Sequence, residues 1–253
     1  MIDLHSHLLP GVDDGSRTVE QSIGVLHRWQ AQGVTAVCLT PHMTVTKAAK
    51  GVPGAWEDAF TRLASASPAA VKLFRGSEMM LDRPLTEAAA DRRFTLGGTR
   101  YLLVEFSRLV AEGAALNALV QVARLGVVPV LAHPERYAIC SPEAVQRWKG
   151  ASGALMQVDA TTLVQPRSRG NRARQLLAAG LVDILAGDNH GDDRSMATAQ
   201  EALAERHRAV AQLLLADNPA AILADGPTEG VPPVKLKESL INRLRTLFDQ
   251  EGA

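Results

Sequence analysis

Residues 116–126, LNALVQVARLG, and residues 127–133, VVPVLAH, have the pattern of a helix, a glycine and a short apolar strand. The glycine at position 126 suits the left-handed backbone conformation in which many helices end. The apolar run behind it is typical of a strand that is buried on both faces. The same unit recurs at residues 18–40 (TVEQSIGVLHRWQAQGVTAVCLT) and at residues 172–188 (RARQLLAAGLVDILAGD). This repetition predicts alternating helices and buried strands.

Four further stretches have the composition of strands, at residues 1–5 (MIDLH), 70–78 (AVKLFRGSE), 100–106 (RYLLVEF) and 154–160 (ALMQVDA). About seven strands that alternate with helices predict an α/β protein with a parallel sheet, either open or closed into a barrel. Thr18, with Gln21 three residues later, matches the capping-box pattern and predicts the start of the first helix.

Residues 1–253 are expected to form a single domain, because no linker interrupts the pattern. The C-terminal part, from about residue 196, is expected to pack on the strands as helices. One helix is predicted over residues 202–223. An amphipathic helix is predicted over residues 235–250, where Leu240, Leu244 and Leu247 pack on the domain or, alternatively, form a dimer contact.

The composition disfavours several classes of protein. The chain has 253 residues, 46% of them hydrophobic and 4% aromatic, and its formal net charge is zero. This balance gives no support to a nucleic-acid-binding face, which needs clustered basic residues. No signal peptide opens the chain and no apolar run is long enough to span a membrane, so a cytoplasmic protein without membrane insertion is expected. The two cysteines, Cys38 and Cys140, are expected to be reduced and buried.

Imidazole and carboxylate side chains lie at the ends of the predicted strands. The C-terminal ends of parallel strands in an α/β barrel face one mouth, where active sites are built. These side chains are therefore expected to converge. They are His5, His7, His42, Glu78, Glu105, His133, Asp188 and His190, joined by Asp13 or Asp14 from the first loop.

Such a set predicts a polynuclear metal site. Histidine and carboxylate ligands without thiolates suit zinc, manganese or iron in a catalytic role. One ion takes about four to six ligands, so nine candidates fit two or three ions with a bridging carboxylate. The remaining histidines, His27 and His207, are expected in helix interiors.

Thiolate catalysis of phosphate transfer is not expected, because neither cysteine has the spacing that it needs. Cysteine-dependent tyrosine phosphatases place an arginine six residues after the cysteine. Cys38 has Thr44 at that position and Cys140 has Gln146.

The motifs DLHSHLLPGVDDGS, TPH, GSEM, VEF, AHPERY and GDNH, between residue 2 and about residue 194, resemble those of the PHP superfamily (polymerase and histidinol phosphatase). More narrowly, they resemble the bacterial protein tyrosine phosphatases of the CpsB/YwqE type, which are linked to capsule and exopolysaccharide synthesis. The resemblance implies a distorted (β/α)7 TIM-like barrel and a trinuclear site, usually manganese-dependent, with iron, zinc or magnesium as the other candidate ions.

The resemblance also assigns residues. His5, His7, Glu78 and Asp188 would hold one ion; Glu78, Glu105 and His133 a second; Asp14, His42 and His190 the third. Asp14 is preferred to Asp13 because the family motif places its ligand at the second aspartate. Arg136 would bind the substrate phosphate, with Arg194 as a second contact. His42 or Asp192 would serve as a proton donor, if one is needed.

The implied reaction is hydrolysis of phosphotyrosine in a protein, by resemblance the tail of a bacterial tyrosine kinase. The alternatives are a phosphomonoesterase acting on histidinol phosphate, a phosphodiesterase or exonuclease, an amidohydrolase-type barrel, and an inactive module that docks a kinase. The loop MTVTKAAKGVPG (43–54), with Lys47 and Lys50, lies over the mouth and meets an acidic phosphopeptide, or is only a solvated connection.

Overall fold

Parallel strands that alternate with helices make up the computed structural model, which describes residues 1–236. The described strands are β1 Ile2–Ser6, β2 Ala36–Leu39, β3 His42–Thr44, β4 Lys72–Arg75, β5 Glu78–Met80, β6 Tyr101–Glu105, β7 Val128–Ala132, β8 Leu155–Asp159 and β9 Ile184–Ala186. The α-helices are α1 Val19–Ala31, α2 Val45–Ala48, α3 Gly54–Ala66, α4 Glu112–Arg124, α5 Pro142–Ser152, α6 Ala160–Leu163, α7 Ser168–Ala178, α8 Ala197–Ala204, α9 Arg208–Gln212 and α10 Asn218–Leu223.

Glycines end the helices of all three repeated units, as predicted. Gly126 has φ +80°, Gly33 φ +86° and Gly180 φ +69°, a conformation that costs an L side chain free energy but not glycine. The predicted start of α1 is also confirmed, since the Thr18 side chain accepts a hydrogen bond from the Gln21 N–H. The Gln21 side chain reaches back to the N–H of Arg17 rather than to that of Thr18.

The strands form two parallel sheets, with the orders β1-β2-β4 and β3-β5-β6-β7-β8-β9. The α/β class and the parallel pairing predicted from sequence are therefore confirmed. Between β1 and the end of β9 the pairing consists of one bridge, Ser6 to Asn189, flanked by hydrogen bonds from Asp188 N–H to His5 O and from His7 N–H to Asn189 O.

Two of the predicted strands are each divided between the two sheets. The run that contains β2 pairs with β1, and after Pro41 it continues as β3 beside β5. The run that contains β4 pairs with β2, and after Gly76 and Ser77 it continues as β5. His42 and Glu78 thus begin short strands instead of ending long ones, and the register places them opposite each other. Proline lacks the N–H that an uninterrupted ladder needs, and a Cβ at Gly76 would lie 2.9 Å from Cys38 Sγ.

Apolar side chains are buried on both faces of the strands, which explains their continuous apolar sequences. Helices cover one face; α1, for instance, buries Val25, Leu26 and Trp29. The opposite face encloses a smaller core that includes Leu4, Leu103 and other strand residues. Each fully buried side chain of this kind contributes about 1.5–3 kcal/mol to folding.

The predicted helix over residues 202–223 is interrupted. It breaks between α8 and α9, where His207 has φ −133°, and continues through a π-helical segment, Leu213–Asp217, into α10. The prediction that His207 lies in a helix interior is therefore wrong, whereas His27 lies exposed within α1. Leu240, Leu244 and Leu247 of the predicted amphipathic helix lie outside the described residues. Within residues 1–236, no helix has the length and apolar character needed to cross a membrane.

Candidate metal centre

All nine side chains singled out from the sequence lie in one cluster. They form four overlapping groups in which the potential ligand atoms are within 4.8 Å of one another. The groups are His5, His7 and Asp188; His5, Glu78 and His133; His42, Glu78 and Glu105; and His7, Asp14, His42 and His190. Because each group shares at least one residue with another, the cluster can hold neighbouring ions with shared ligands.

Four ligand atoms at the centre of the cluster lie at nearly equal distances. His5 Nε2 is 3.2 Å from His7 Nε2, 3.4 Å from Glu78 Oε2 and 3.3 Å from Asp188 Oδ1. His7 Nε2 is 3.3 Å from the same Glu78 oxygen and 3.4 Å from the same Asp188 oxygen. Atoms that share an ion at about 2.0–2.2 Å have separations of this order.

The two carboxylate oxygens of this central group support the same interpretation. Glu78 Oε2 and Asp188 Oδ1 are buried and make no hydrogen bond to the described residues. A buried charged oxygen that accepts no hydrogen bond is costly, so two such oxygens facing a group of imidazoles indicate a cation. The donor set and the orphaned atoms therefore fit a divalent metal ion.

A second group of ligand atoms surrounds the same glutamate. Glu78 Oε1 is 2.7 Å from His133 Nε2, and Glu78 Oε2 is 3.0 Å from His42 Nδ1. Glu105 lies between these histidines, 3.2 Å from His42 Nδ1 and 3.9 Å from His133 Nε2. One carboxylate thus faces two groups of ligands, which is the arrangement of a bridging ligand.

The third group lies at the opening of the site. Asp14 Oδ1 is 3.4 Å from His42 Nε2 and 3.6 Å from His190 Nε2. The ring of His190 stacks on that of His7 with centroids 4.0 Å apart. This group is the most exposed part of the cluster.

The histidines and carboxylates of the cluster shift one another's pKa values. Burial lowers the pKa of His42, but the carboxylates of Glu105 and Glu78 outweigh it and raise the value to about 10. The pKa values of His5 and His7 are likewise raised, against the effect of burial. The pKa values of Glu78 and Asp188 are held well below the usual range by the histidines, although burial opposes this. Carboxylates so arranged attract positive charge, which either protons or metal ions provide.

Two residues that are not among the nine clustered side chains orient the histidine rings. Asp13 Oδ2 is 2.7 Å from His7 Nδ1, and it also accepts a hydrogen bond from the N–H of His42. Gln157 Oε1 is 2.8 Å from His5 Nδ1. Such partners fix the tautomer and orientation of metal-binding histidines. The two adjacent aspartates thus differ: Asp13 contacts the far side of a ring, and Asp14 faces the ligand cluster.

Asp13→Asn is expected to weaken Mn²⁺ binding by about 10- to 100-fold, the usual effect of removing such a carboxylate partner. Asparagine keeps an oxygen for the N–H of Gly15, 3.0 Å from Asp13 Oδ1, but loses the charge beside His7. Titration of the metal-free protein with Mn²⁺ measures the effect. Asp58→Asn, at an exposed position of α3, is the matched control. Equal affinity of both variants would refute the orienting role of Asp13.

Two of the candidate ligands also have strained backbones. His133 has φ +35° and Asp188 φ +45°, and within residues 1–236 Asp225 is the other non-glycine residue with positive φ. Such conformations cost free energy and occur preferentially at functional sites. They direct the two side chains from the ends of β7 and β9 into the cluster.

Both arginines predicted to bind phosphate contact the cluster. Arg136 Nη2 donates a hydrogen bond to Asp188 Oδ2, and Arg194 Nη1 lies 3.2 Å from the same oxygen. Arg194 is also held by Asp192 at 2.8 Å. Both guanidinium groups, like His42, line an open cleft of about 630 Å³, within the usual range of ligand sites.

The cleft has further lining residues that the sequence analysis did not single out as functional, among them Arg108 and Arg169. Lys47 of the loop after His42 also lines it, whereas Lys50 is exposed elsewhere. No motif marks the two arginines in the sequence, because isolated arginines on a protein surface are usually solvated.

Both cysteines are free and buried, as expected. Burial raises the pKa of Cys38 to about 12 and also raises that of Cys140. Neither thiol is therefore an effective nucleophile at neutral pH.

Known proteins of similar sequence match most of this chain. Tyrosine-protein phosphatase CpsB of Streptococcus pneumoniae is 29% identical over 89% of this chain and 99% of its own length. Tyrosine-protein phosphatase CpsB of Streptococcus agalactiae is 30% identical over 76% of this chain and 84% of its own length. Tyrosine-protein phosphatase YwqE of Bacillus subtilis is 27% identical over 80% of this chain and 82% of its own length.

A crystal structure reported for YwqE of Bacillus subtilis and CpsB of Streptococcus pneumoniae, described as unique metal-dependent tyrosine phosphatases, superimposes with a TM-score of 0.79. It covers 94% of this chain and all of that chain at 24% sequence identity, so it establishes the shared fold. The family model for capsular polysaccharide synthesis, CpsB/CapC, matches residues 1–224. The chain therefore belongs to the CpsB/CapC family.

Proposed function

We propose that this protein is a metal-dependent phosphatase that hydrolyses phosphotyrosine in proteins. The observation that carries the proposal is the nine-residue ligand cluster with its two orphaned buried carboxylate oxygens, placed beside two arginines in an open cleft. Names of the similar proteins, which are tyrosine-protein phosphatases, support the same activity. A phosphotyrosine side chain is long enough to reach a site of this kind without further opening.

Two or three ions, manganese by preference, fit the cluster. His5, His7, Glu78 and Asp188 are the proposed ligands of the first ion, Glu78, Glu105 and His133 of the second, and Asp14, His42 and His190 of the third. When bound, divalent ions supply Lewis acidity and a water that loses a proton near neutral pH.

The protein's own residues position the phosphate and stabilise its charge. Arg136 and Arg194, which share Asp188 Oδ2 in the structure, are proposed to bind the phosphoryl oxygens, for which a planar guanidinium is suited. Their charge then opposes the negative charge that develops on these oxygens in the transition state. Gln157 and Asp13 keep the rings of His5 and His7 in place during this step.

Departure of the leaving group needs little assistance, because a phenolate has a pKa of about 10. If a proton is donated, His42 is the preferred donor, through the ring nitrogen that does not hold the ion. It lines the cleft and its side chain is 39% exposed, whereas Asp192 is held by Arg194.

The finer assignments belong to the same proposal. We interpret the two sheets as a distorted (β/α)7 barrel, since the order of the strands and the Ser6–Asn189 bridge are what closure of seven consecutive segments requires. The proposed substrate is the phosphorylated tail of a bacterial tyrosine kinase that controls polysaccharide export, which would place the reaction in the cytoplasm. Membership of a capsular polysaccharide synthesis family supports this partner.

A comparison of substrates tests the function. The protein loaded with Mn²⁺ is assayed with a phosphotyrosine peptide, histidinol phosphate and single-stranded DNA. We expect kcat/KM for the peptide to exceed that for histidinol phosphate by about 100-fold, a difference that contacts with an aromatic leaving group readily provide. Preferential turnover of histidinol phosphate, or degradation of the DNA, would refute the proposed substrate.

A further inference from the structure

Three cationic side chains surround the mouth of the cleft from different sides. Lys47 lies on α2 after β3, Arg108 on the loop after β6, and Arg169 in the first turn of α7 after β8. All three are exposed and all three line the cleft that holds the ligand cluster. We call them the cationic rim.

The residues of the cationic rim lack acidic partners. Among residues 1–236, no carboxylate lies within ion-pair distance of the rim side chains, and none of these side chains forms a hydrogen bond to a described residue. Some of the exposed arginines elsewhere are paired, for example Arg75 with Glu57, Arg92 with Asp225 and Arg147 with Glu112. The chain as a whole has no net charge. Exposed cations such as Lys50 and Arg167 are also unpaired within the described part of the chain, but Lys47, Arg108 and Arg169 differ from them in lining the cleft.

The backbone holds the rim residues in place. The Tyr137 hydroxyl accepts a hydrogen bond of 3.0 Å from the N–H of Phe106, two residues before Arg108. The Thr44 hydroxyl accepts one of 3.1 Å from the N–H of Lys47. Beside Arg169, a Cβ at Gly170 would lie 2.0 Å from Gln165 O, so the first turn of α7 packs directly on the preceding loop.

We infer that the cationic rim makes the protein select phosphotyrosine that is flanked by acidic residues. The inference rests on the proposed function, because the phosphate must lie at the ligand cluster for the flanking residues to lie over the rim. Cations on three sides of the mouth meet side chains on both sides of the phosphotyrosine. Each exposed ion pair is expected to change affinity by about two- to fivefold. The rim as a whole is therefore expected to give a roughly tenfold preference for acidic over neutral flanking residues.

Matched phosphotyrosine peptides test the inference. Three peptides carry glutamate, glutamine or lysine at the two positions on each side of the phosphotyrosine, and phenyl phosphate provides the reference for each protein. With the Mn²⁺-loaded full chain at low salt, we expect kcat/KM to be about tenfold higher for the glutamate peptide than for the glutamine peptide. This preference for the glutamate peptide should fall as salt is added, because salt screens the attraction between the rim and the glutamates. The screening length is about 10 Å at 0.1 M ionic strength.

The combined variant Lys47→Gln, Arg108→Gln and Arg169→Gln should reduce this ratio to below about twofold. The control variants are Lys50→Gln, near Lys47, and Arg167→Gln, near Arg169. Both remove an exposed cation that does not line the cleft, so the ratio of kcat/KM between the glutamate and glutamine peptides should stay unchanged. Equal kcat/KM for the three peptides, or an unchanged ratio in the combined variant, would overturn the inference alone. Failure to hydrolyse phenyl phosphate and every peptide would overturn the proposed function together with it.

Discussion

Glu78→Gln is expected to reduce kcat/KM for an aryl phosphate by about 10³- to 10⁴-fold, a loss of roughly 4–5.5 kcal/mol of transition-state stabilisation. Glu78 is the side chain that joins the groups of the cluster. Its Oε2 faces His5, His7 and His42, and its Oε1 lies 2.7 Å from His133. The amide has nearly the same volume, but it carries no charge and turns an N–H₂ group towards imidazoles that need an acceptor or an ion.

A control separates loss of metal from loss of fold. Glu201→Gln, at an exposed position of α8, should retain full activity. Circular dichroism should show the same helix content for both variants, because glutamine fills the space of Glu78. Metal analysis should find less metal in Glu78→Gln than in the control. Near-normal activity of Glu78→Gln with its full metal content would show that the ligand assignment is wrong.

Removal of metal is expected to have a comparable effect. Dialysis against a chelator should reduce hydrolysis of the phosphotyrosine peptide by at least about 10³-fold, and Mn²⁺ should restore it, because the proposed nucleophile is a water that the bound ions activate. Both thiols are buried with raised pKa values. Activity, metal content and thermal unfolding are measured on the same samples.

Removal of metal is also expected to lower the thermal stability of the protein. An ion that binds only the folded protein adds about 2.7 kcal/mol at a concentration of 100 times its Kd, so the stripped protein should unfold at a lower temperature. His5→Ala should resemble the stripped protein in both activity and stability. Activity that persists after analysis confirms complete removal of metal would contradict the proposed mechanism.

Local sequence patterns were sufficient to predict the alternation of helices and strands. Gly33, Gly126 and Gly180 mark helix ends because their backbone requirement is local. The division of two strands between sheets was not predictable, because it depends on which neighbour each half pairs with. Only in retrospect do Pro41 and Gly76 mark the two points of division.

The candidate ligands could be predicted because strand topology brings strand ends together regardless of the loops. The residues that orient the histidine ligands could not be predicted. A glutamine within an otherwise apolar strand was the available signal for Gln157, and the doubled aspartate was the signal for Asp13, but neither pattern states which ring the side chain contacts. The positive φ angles of His133 and Asp188, and the gathering of Lys47, Arg108 and Arg169 at one mouth, depend on tertiary packing.

The ligand cluster lies across the junction of β1 and β9, where the two sheets meet. His5 lies on the first strand, His7 directly follows it, and Asp188 lies two residues after the last strand. Contacts of 3.3 and 3.4 Å therefore join positions separated by most of the chain. The backbone across this junction contributes a single bridge. An ion shared by these ligands would clip one of the longest loops that the chain can form, and such closure removes the most entropy from the unfolded state. Under a pulling force applied at residues 1 and 236, the loaded protein would therefore resist at the metal site, whereas the stripped protein would open at this junction first.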